Sequence, residues 1–338
     1  MWRRMAVWLL AAPLGLGLAA AQRADAVASC RDALSRDVLT REQIIAARPL
    51  CLSDLEAASS AEAYDLLGMI IVGRYRVLEA RPLHACLDRF DVRTQLRLNT
   101  IRSGRFRDPE VGVSAEDMDG YIAEARRLGD RASLAYLLYK RAHQSYLTDR
   151  DRDLITEYTE EALDIAEADG IGYLQRFVLS GMAHMALDDG DYAGAITAYA
   201  RWGDISLPGD TAKDVIWPDT SIGRVFRDLG AHDEALVRFK RARDLIDRSN
   251  FPISDTHDVG LRLDTAKAYQ ALGQWEEAAR TYAAALDVAY GYGGISSDEQ
   301  ALHDGYARVL HALGKTSEAI DQAEAAIAYD ETQQQQLQ

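Results

Sequence analysis

The feature that most constrains the fold is a set of small residues that recurs at about 40-residue intervals. In one copy, Ala266, Gly273, Ala278 and Ala285 are interleaved with Tyr269, Trp275 and Tyr282. The same spacing returns at Gly223, Phe226, Gly230, Ala235, Phe239 and Ala242, and again at Ala183, Ala186, Gly190, Ala195 and Tyr199. A further copy reads Ala307, Leu310, Gly314, Ala319 and Ala326, and a weaker one keeps only His143, Tyr146 and Ala162. Small residues at fixed places let two helices cross at close range, and a glycine lets the chain reverse between them. The first small position falls at 143, 183, 223, 266 and 307, so successive intervals are 40, 40, 43 and 41. A period of that length belongs to stacked helical hairpins, each covering the apolar side of the one before.

These residues resemble the tetratricopeptide repeat. The resemblance implies an all-α fold: a right-handed α-solenoid of antiparallel helix pairs, about five repeats over residues 114–330. The period exceeds the family's roughly 34 residues. Its surplus falls after the second helix of each pair, helix B, in stretches such as 206–214, 249–258 and 291–297. Where the family carries an early Trp in the first helix, helix A, this chain has Leu179, Asp219, Arg262 and His303. The core aromatics are expected to be Tyr199, Phe226, Phe239, Tyr269 and Tyr282, with Trp275 and Tyr192 beneath their turns and Trp202 and Trp217 capping a seam between repeats.

Ahead of the array, residues 1–26 pair Arg3 and Arg4 with an uncharged run over 5–21 that ends in small residues. That is the layout of a secretory signal peptide, and it places the chain in the periplasm or outside the cell. The run is shorter than the roughly 20 apolar residues of a spanning helix, so no stable membrane insertion is expected after cleavage. Of the three cysteines, Cys30, Cys51 and Cys86, two are expected to pair in an oxidising compartment. Cys30 with Cys51 is favoured because it would staple a first helical hairpin, and the other pairings stay open. Residues 27–107 read as a degenerate helical cap region. Capping boxes at Thr40–Gln43 and Ser53–Glu56 would open its helices, and Pro49 and Pro82 would mark breaks. Residues 63–72 read as a buried helix, 105–113 as a linker, Ser114 as the N-cap that resumes the helices, and 331–338 as a Gln-rich tail.

The formal charge of -15 at pH 7 argues against nucleic acid and against anionic membrane surfaces. Against that acidic body, the position after the small residue of each helix A reads Gln144, His184, Arg224, Lys267 and Arg308. Arg227 and His311 follow three residues after Arg224 and Arg308 and share their face by helical spacing. In a tetratricopeptide fold that face lines the concave groove, so the resemblance implies a basic groove for a carboxylate, a phosphate or an acidic peptide. The plainer reading is solvated charge paired with Asp188, Asp228 and Asp264 on the same helices. The family's two-carboxylate clamp does not carry over, since it needs groove asparagines and only Asn99 and Asn250 occur.

No catalytic or metal motif appears: no His-Glu-x-x-His, no Gly-x-Ser-x-Gly and no phosphate loop after a strand. The expectation is therefore an exported scaffold without enzyme activity, cofactor or metal, holding a protein or peptide in its groove. The alternative is the periplasmic ligand-sensing region of a bacterial signalling protein, such as a diguanylate cyclase or histidine kinase.

Overall fold

The computed structural model describes residues 29–31, 41–71, 90–103, 113–207, 210, 212–249, 255–291 and 298–336. The leader, Thr40, Pro82, Cys86 and all but the last residue of the 105–113 linker lie outside the described residues. So does 292–297, most of the third inter-repeat stretch. Among the described residues every regular element is a helix, and the chain divides into two units, Met1–Ile101 and Arg102–Gln338.

In the first unit, α1 (Arg41–Ala57), α2 (Ser60–Met69) and α3 (Val92–Ser103) are the defined helices. Two local expectations fail here. Pro49 lies inside α1 rather than ending a segment, and the helix runs on through Ser53, which therefore opens nothing. The reason is tertiary: Ala47, Cys51 and Leu55 form a buried stripe at helical spacing, and Cys51 is bonded to Cys30. Together they hold the helix continuous past a residue that lacks an N–H and crowds the carbonyl four back. The capping box sits instead at Ser59, which accepts from the Glu62 N–H while the Glu62 carboxylate accepts from the Ser59 N–H. Leu67, Ile70 and Ile71 are buried as the 63–72 pattern requires. Arg97 of α3 stacks on Tyr64 at 3.5 Å and donates to its carbonyl.

The second unit begins with α4 (Ala115–Leu128), capped by Ser114. Five hairpins follow: α5 (Arg131–Leu147) with α6 (Arg152–Ala168), α7 (Gly172–Asp188) with α8 (Tyr192–Gly203), α9 (Ala212–Asp228) with α10 (His232–Ser249), α11 (Asp255–Ala271) with α12 (Trp275–Gly291), and α13 (Glu299–Ala312) with α14 (Thr316–Gln336). Each helix packs on its neighbours in sequence. Helices A of adjacent hairpins also touch, α5 with α7, α9 with α11 and α11 with α13. This is the nearest-neighbour packing of a solenoid.

The recurring small residues sit where the helices cross. Ala183, Ala266, Ala235, Ala278, Ala242 and Ala285 are fully buried, and Tyr199, Phe239 and Tyr282 fill the space around them. A Cβ on Gly223 would lie 2.5 Å from the Phe239 ring, so only hydrogen fits there. Gly190, Gly230, Gly273 and Gly314 make the turn from helix A to helix B at φ of 77°, 77°, 70° and 76°. In the weakest copy Arg150 takes that place at φ 53°.

The positions that depart from the family pattern are tied by polar contacts. Buried Asp219 of α9 pairs with Arg238 and Arg241 of α10, each at 3.1 Å. His303 of α13 is bonded to Tyr290 of α12 and Gln322 of α14, both at 2.7 Å. The surplus length after α8 folds back onto α7, where buried Arg176 holds Asp210 at 2.5 Å and the carbonyl of Ile205. At the other end α14 continues as helix through the glutamines to Gln336.

Candidate functional site

Two cavities among the described residues lie on the helix A face of the second unit. The larger, of about 370 Å³, lies between α11 and α13 with the start of α12. Lys267 and Arg308 lie on it with Gln270, Asp304, Trp275 and Gly305. Lys267 is exposed and has no ion-pair partner among the described residues. Arg308, 68% exposed, meets Asp304 one turn earlier at 2.8 Å. Tyr282 closes the inner end: its ring is buried against Gly305, its hydroxyl donates to Gln270 at 2.9 Å, and burial pushes its pKa far up, so it stays protonated.

The smaller cavity, of about 190 Å³, lies between α9 and α11 and reaches Asp298 at the N-cap of α13. Arg224, Trp217 and Thr220 face His257 and Gly260 across it. Lys213 sits over the Trp217 ring at 5.2 Å. Burial, and then the charges of Lys213 and Arg224, hold the His257 pKa below its usual value, against a smaller upward pull from Asp214. The imidazole is therefore neutral at pH 7.

The six expected groove residues do not form one continuous ladder. Lys267 and Arg308 meet in the larger cavity, and Arg224 lies in the neighbouring one. Arg227 stands behind it: Arg224 and Arg227 both donate to Asp264, which is only 6% exposed. His184 and His311 line neither cavity. The His184 ring contacts the Ser180 carbonyl at 2.7 Å and packs edge-on to Tyr199. The acid that neutralises Arg224 is therefore on the next helix A, 40 residues on, and not on its own helix. One full period separates the two, a signal present in the sequence that the search for partners on one helix passes over.

Sequence reasoning also missed Thr220 and Gly260. It placed Trp202 and Trp217 at a seam, where they do meet, with ring centroids 6.3 Å apart between α8 and α9. Both indole N–H groups are buried without a partner. Among the described residues no group of three or more His, Cys, Asp or Glu could hold a metal ion, and no helix is long and apolar enough to cross a membrane.

No protein-family model matches the chain, and no curated protein matches it. Solved structures do. The apo form of RapI aligns over 90% of this chain and 96% of its own, at 10% identity and a TM-score of 0.57. Aspartyl phosphate phosphatase F from Bacillus subtilis aligns over 87% of this chain and 76% of its own, at 12% identity and a TM-score of 0.51. At such identities the likeness is one of fold, and the fold is that of a tetratricopeptide-like helical array.

Proposed function

We propose that this tetratricopeptide-like array is an exported scaffold that holds a segment of a partner protein or peptide against its helix A face and performs no chemistry itself. The observation that carries the reading is the larger cavity. There an exposed Lys267, without an ion-pair partner among the described residues, and an exposed Arg308 stand together on a body whose net charge is -15. Cations retained on one face of an acidic protein suit an acidic segment, whose carboxylates they meet by charge-assisted hydrogen bonds and draw in by long-range attraction. Trp275 and Ala301 supply apolar wall between them for the segment's stem.

Export is supported by the leader-like residues 1–26 and by the Cys30–Cys51 bond, which persists in oxidising compartments. The periplasm or the extracellular space is accordingly the proposed location. The smaller cavity favours a second reading, in which the same face senses a small solute on behalf of a signalling protein.

The test is affinity capture from envelope extracts with the mature protein and with its Lys267→Glu/Arg308→Glu variant. Both side chains are exposed, so the variant folds. Partner recovery is expected to fall at least tenfold and to fall again with added salt in the parent. Equal recovery by the two proteins contradicts the reading.

A further inference from the structure

The smaller cavity has three features that packing alone does not explain. The first is Thr220, which is 6% exposed and whose hydroxyl has no partner. Other helical threonines of this protein satisfy themselves: Thr100, Thr159, Thr197, Thr265 and Thr281 each donate to the carbonyl four residues back. Thr220 does not, although burying an unpaired hydroxyl is unfavourable.

Gly260 is the second. It lies in the interior of α11, where glycine is a poor choice, yet no positive φ requires it. No ring presses on it, as rings press on Gly223 and Gly305, because the nearest atoms to an added Cβ would be at 3.9 Å. The residue is small without being crowded, and what its missing side chain leaves open is the cavity.

Third is the pair of groups found at that opening. Arg224 Nη2 and Asp298 Oδ2 each lie 3.9 Å from the place a Gly260 Cβ would occupy. Arg224 is held from behind through its Nε by Asp264, which orients the guanidinium and leaves its outer N–H groups on the cavity side. One cation and one carboxylate therefore flank a space of about 190 Å³ that Ile216, Leu261 and the Trp217 ring otherwise line with apolar surface.

We infer that this cavity is a binding site for a small zwitterion of the α-amino acid class. Its carboxylate meets Arg224, its ammonium meets Asp298, and its side chain lies on Ile216, Leu261 and Trp217, with Thr220 in the wall. The size agrees, since a space of about 190 Å³, at some 20 to 30 Å³ per small group, admits roughly six to nine non-hydrogen atoms. A plain anion would meet Asp298 as a like charge, and a plain cation would meet Arg224. The inference goes beyond partner binding, because it concerns a different cavity and a different ligand.

The experiment is a thermal-shift screen of the mature protein against the twenty common L-amino acids, each at 5 mM, followed by calorimetric titration of the best. That amino acid is then compared with its analogue lacking the ammonium and with its methyl ester, which lacks the carboxylate. Binding of at least one amino acid is expected, with both single-headed analogues at least tenfold weaker. Gly260→Leu fills the opening and is expected to abolish binding, and Asp298→Asn to weaken it at least fivefold. Circular dichroism and melting confirm that each variant is folded. Lys267→Glu is expected to leave the titration unchanged, which separates this site from the larger cavity. Failure of all twenty amino acids to bind, equal affinity for a single-headed analogue, or undiminished binding by folded Gly260→Leu overturns the inference.

Discussion

Two glycines in helix A interiors, Gly305 of α13 and Gly260 of α11, are expected to respond to the same substitution with opposite signs. At either site, replacing glycine by alanine favours the helix by about 1 kcal/mol through backbone entropy. At Gly305 the new Cβ would lie 2.3 Å from the Tyr282 hydroxyl, 2.5 Å from Cζ and 2.7 Å from Cε1. The ring has little room to retreat, being fully buried among Ala278, Leu302 and Val309 and anchored to Gln270 at 2.9 Å. Overpacking of this kind costs about 1–3 kcal/mol. Shifting the ring also strains or breaks the Gln270 bond, which adds about 1 kcal/mol. Net of the helix gain, Gly305→Ala should lose about 1–3 kcal/mol and Gly260→Ala should gain up to about 1 kcal/mol. Urea denaturation followed by far-UV circular dichroism measures both, and midpoints at fixed slope are the proper comparison because a repeat array need not unfold in one step. A Gly305→Ala protein as stable as the parent refutes the packing described at the α12–α13 crossing, and a Gly260→Ala protein destabilised as much as Gly305→Ala refutes the open space described beside Gly260.

Arg150 stands at φ 53°, where the other four hairpin turns use glycine, so Arg150→Gly is expected to raise stability by about 0.5–1 kcal/mol in the same urea assay, and a loss would contradict the turn geometry. Asp264→Ala leaves Arg224 and Arg227 facing each other without their shared carboxylate. The expected loss is about 2–3 kcal/mol, below the figure for a fully buried pair because the Arg224 side chain is 39% exposed, and a midpoint unchanged from the parent would show the pair to be idle. His257 titrates below its usual value in the folded protein, so the unfolded chain takes up the proton first as pH falls through about 6.5. Stability should therefore decline from pH 7 toward pH 5 with no effect above, and His257→Gln should flatten that decline. Parallel curves for the two proteins would contradict the burial and the nearby charges that lower it.

What the sequence discloses and what it hides follow from the range of the interactions. A crossing of two helices demands small residues at fixed places, so Ala183, Gly223, Ala266 and Ala307 reveal the period without knowledge of the surroundings. Pro49 and Ser53 are punctuation in isolation, yet a buried stripe through Ala47, Cys51 and Leu55 overrides them, and that stripe acts only once the unit has folded. The cations of the helix A face are visible as a ladder, and so are the short-range partners of two of them, Asp228 beside Arg227 and Asp304 four residues before Arg308. The buried carboxylate shared between helices is not, because Asp264 lies 40 residues from Arg224 and 37 from Arg227. Thr220 and Gly260 look ordinary along the chain. They become informative only beside contrasts the folded protein provides, namely threonines that donate to the carbonyl four residues back and glycines that are crowded by rings.

The central claim is that binding takes place on the helix A face of the second unit. Hydrogen–deuterium exchange of the protein with and without its captured partner tests it most directly, because amide protection is read helix by helix. Added protection is expected in α9, α11 and α13, around Arg224, Lys267 and Arg308. Protection confined to α10, α12 and α14, with the helix A amides unchanged, would contradict it.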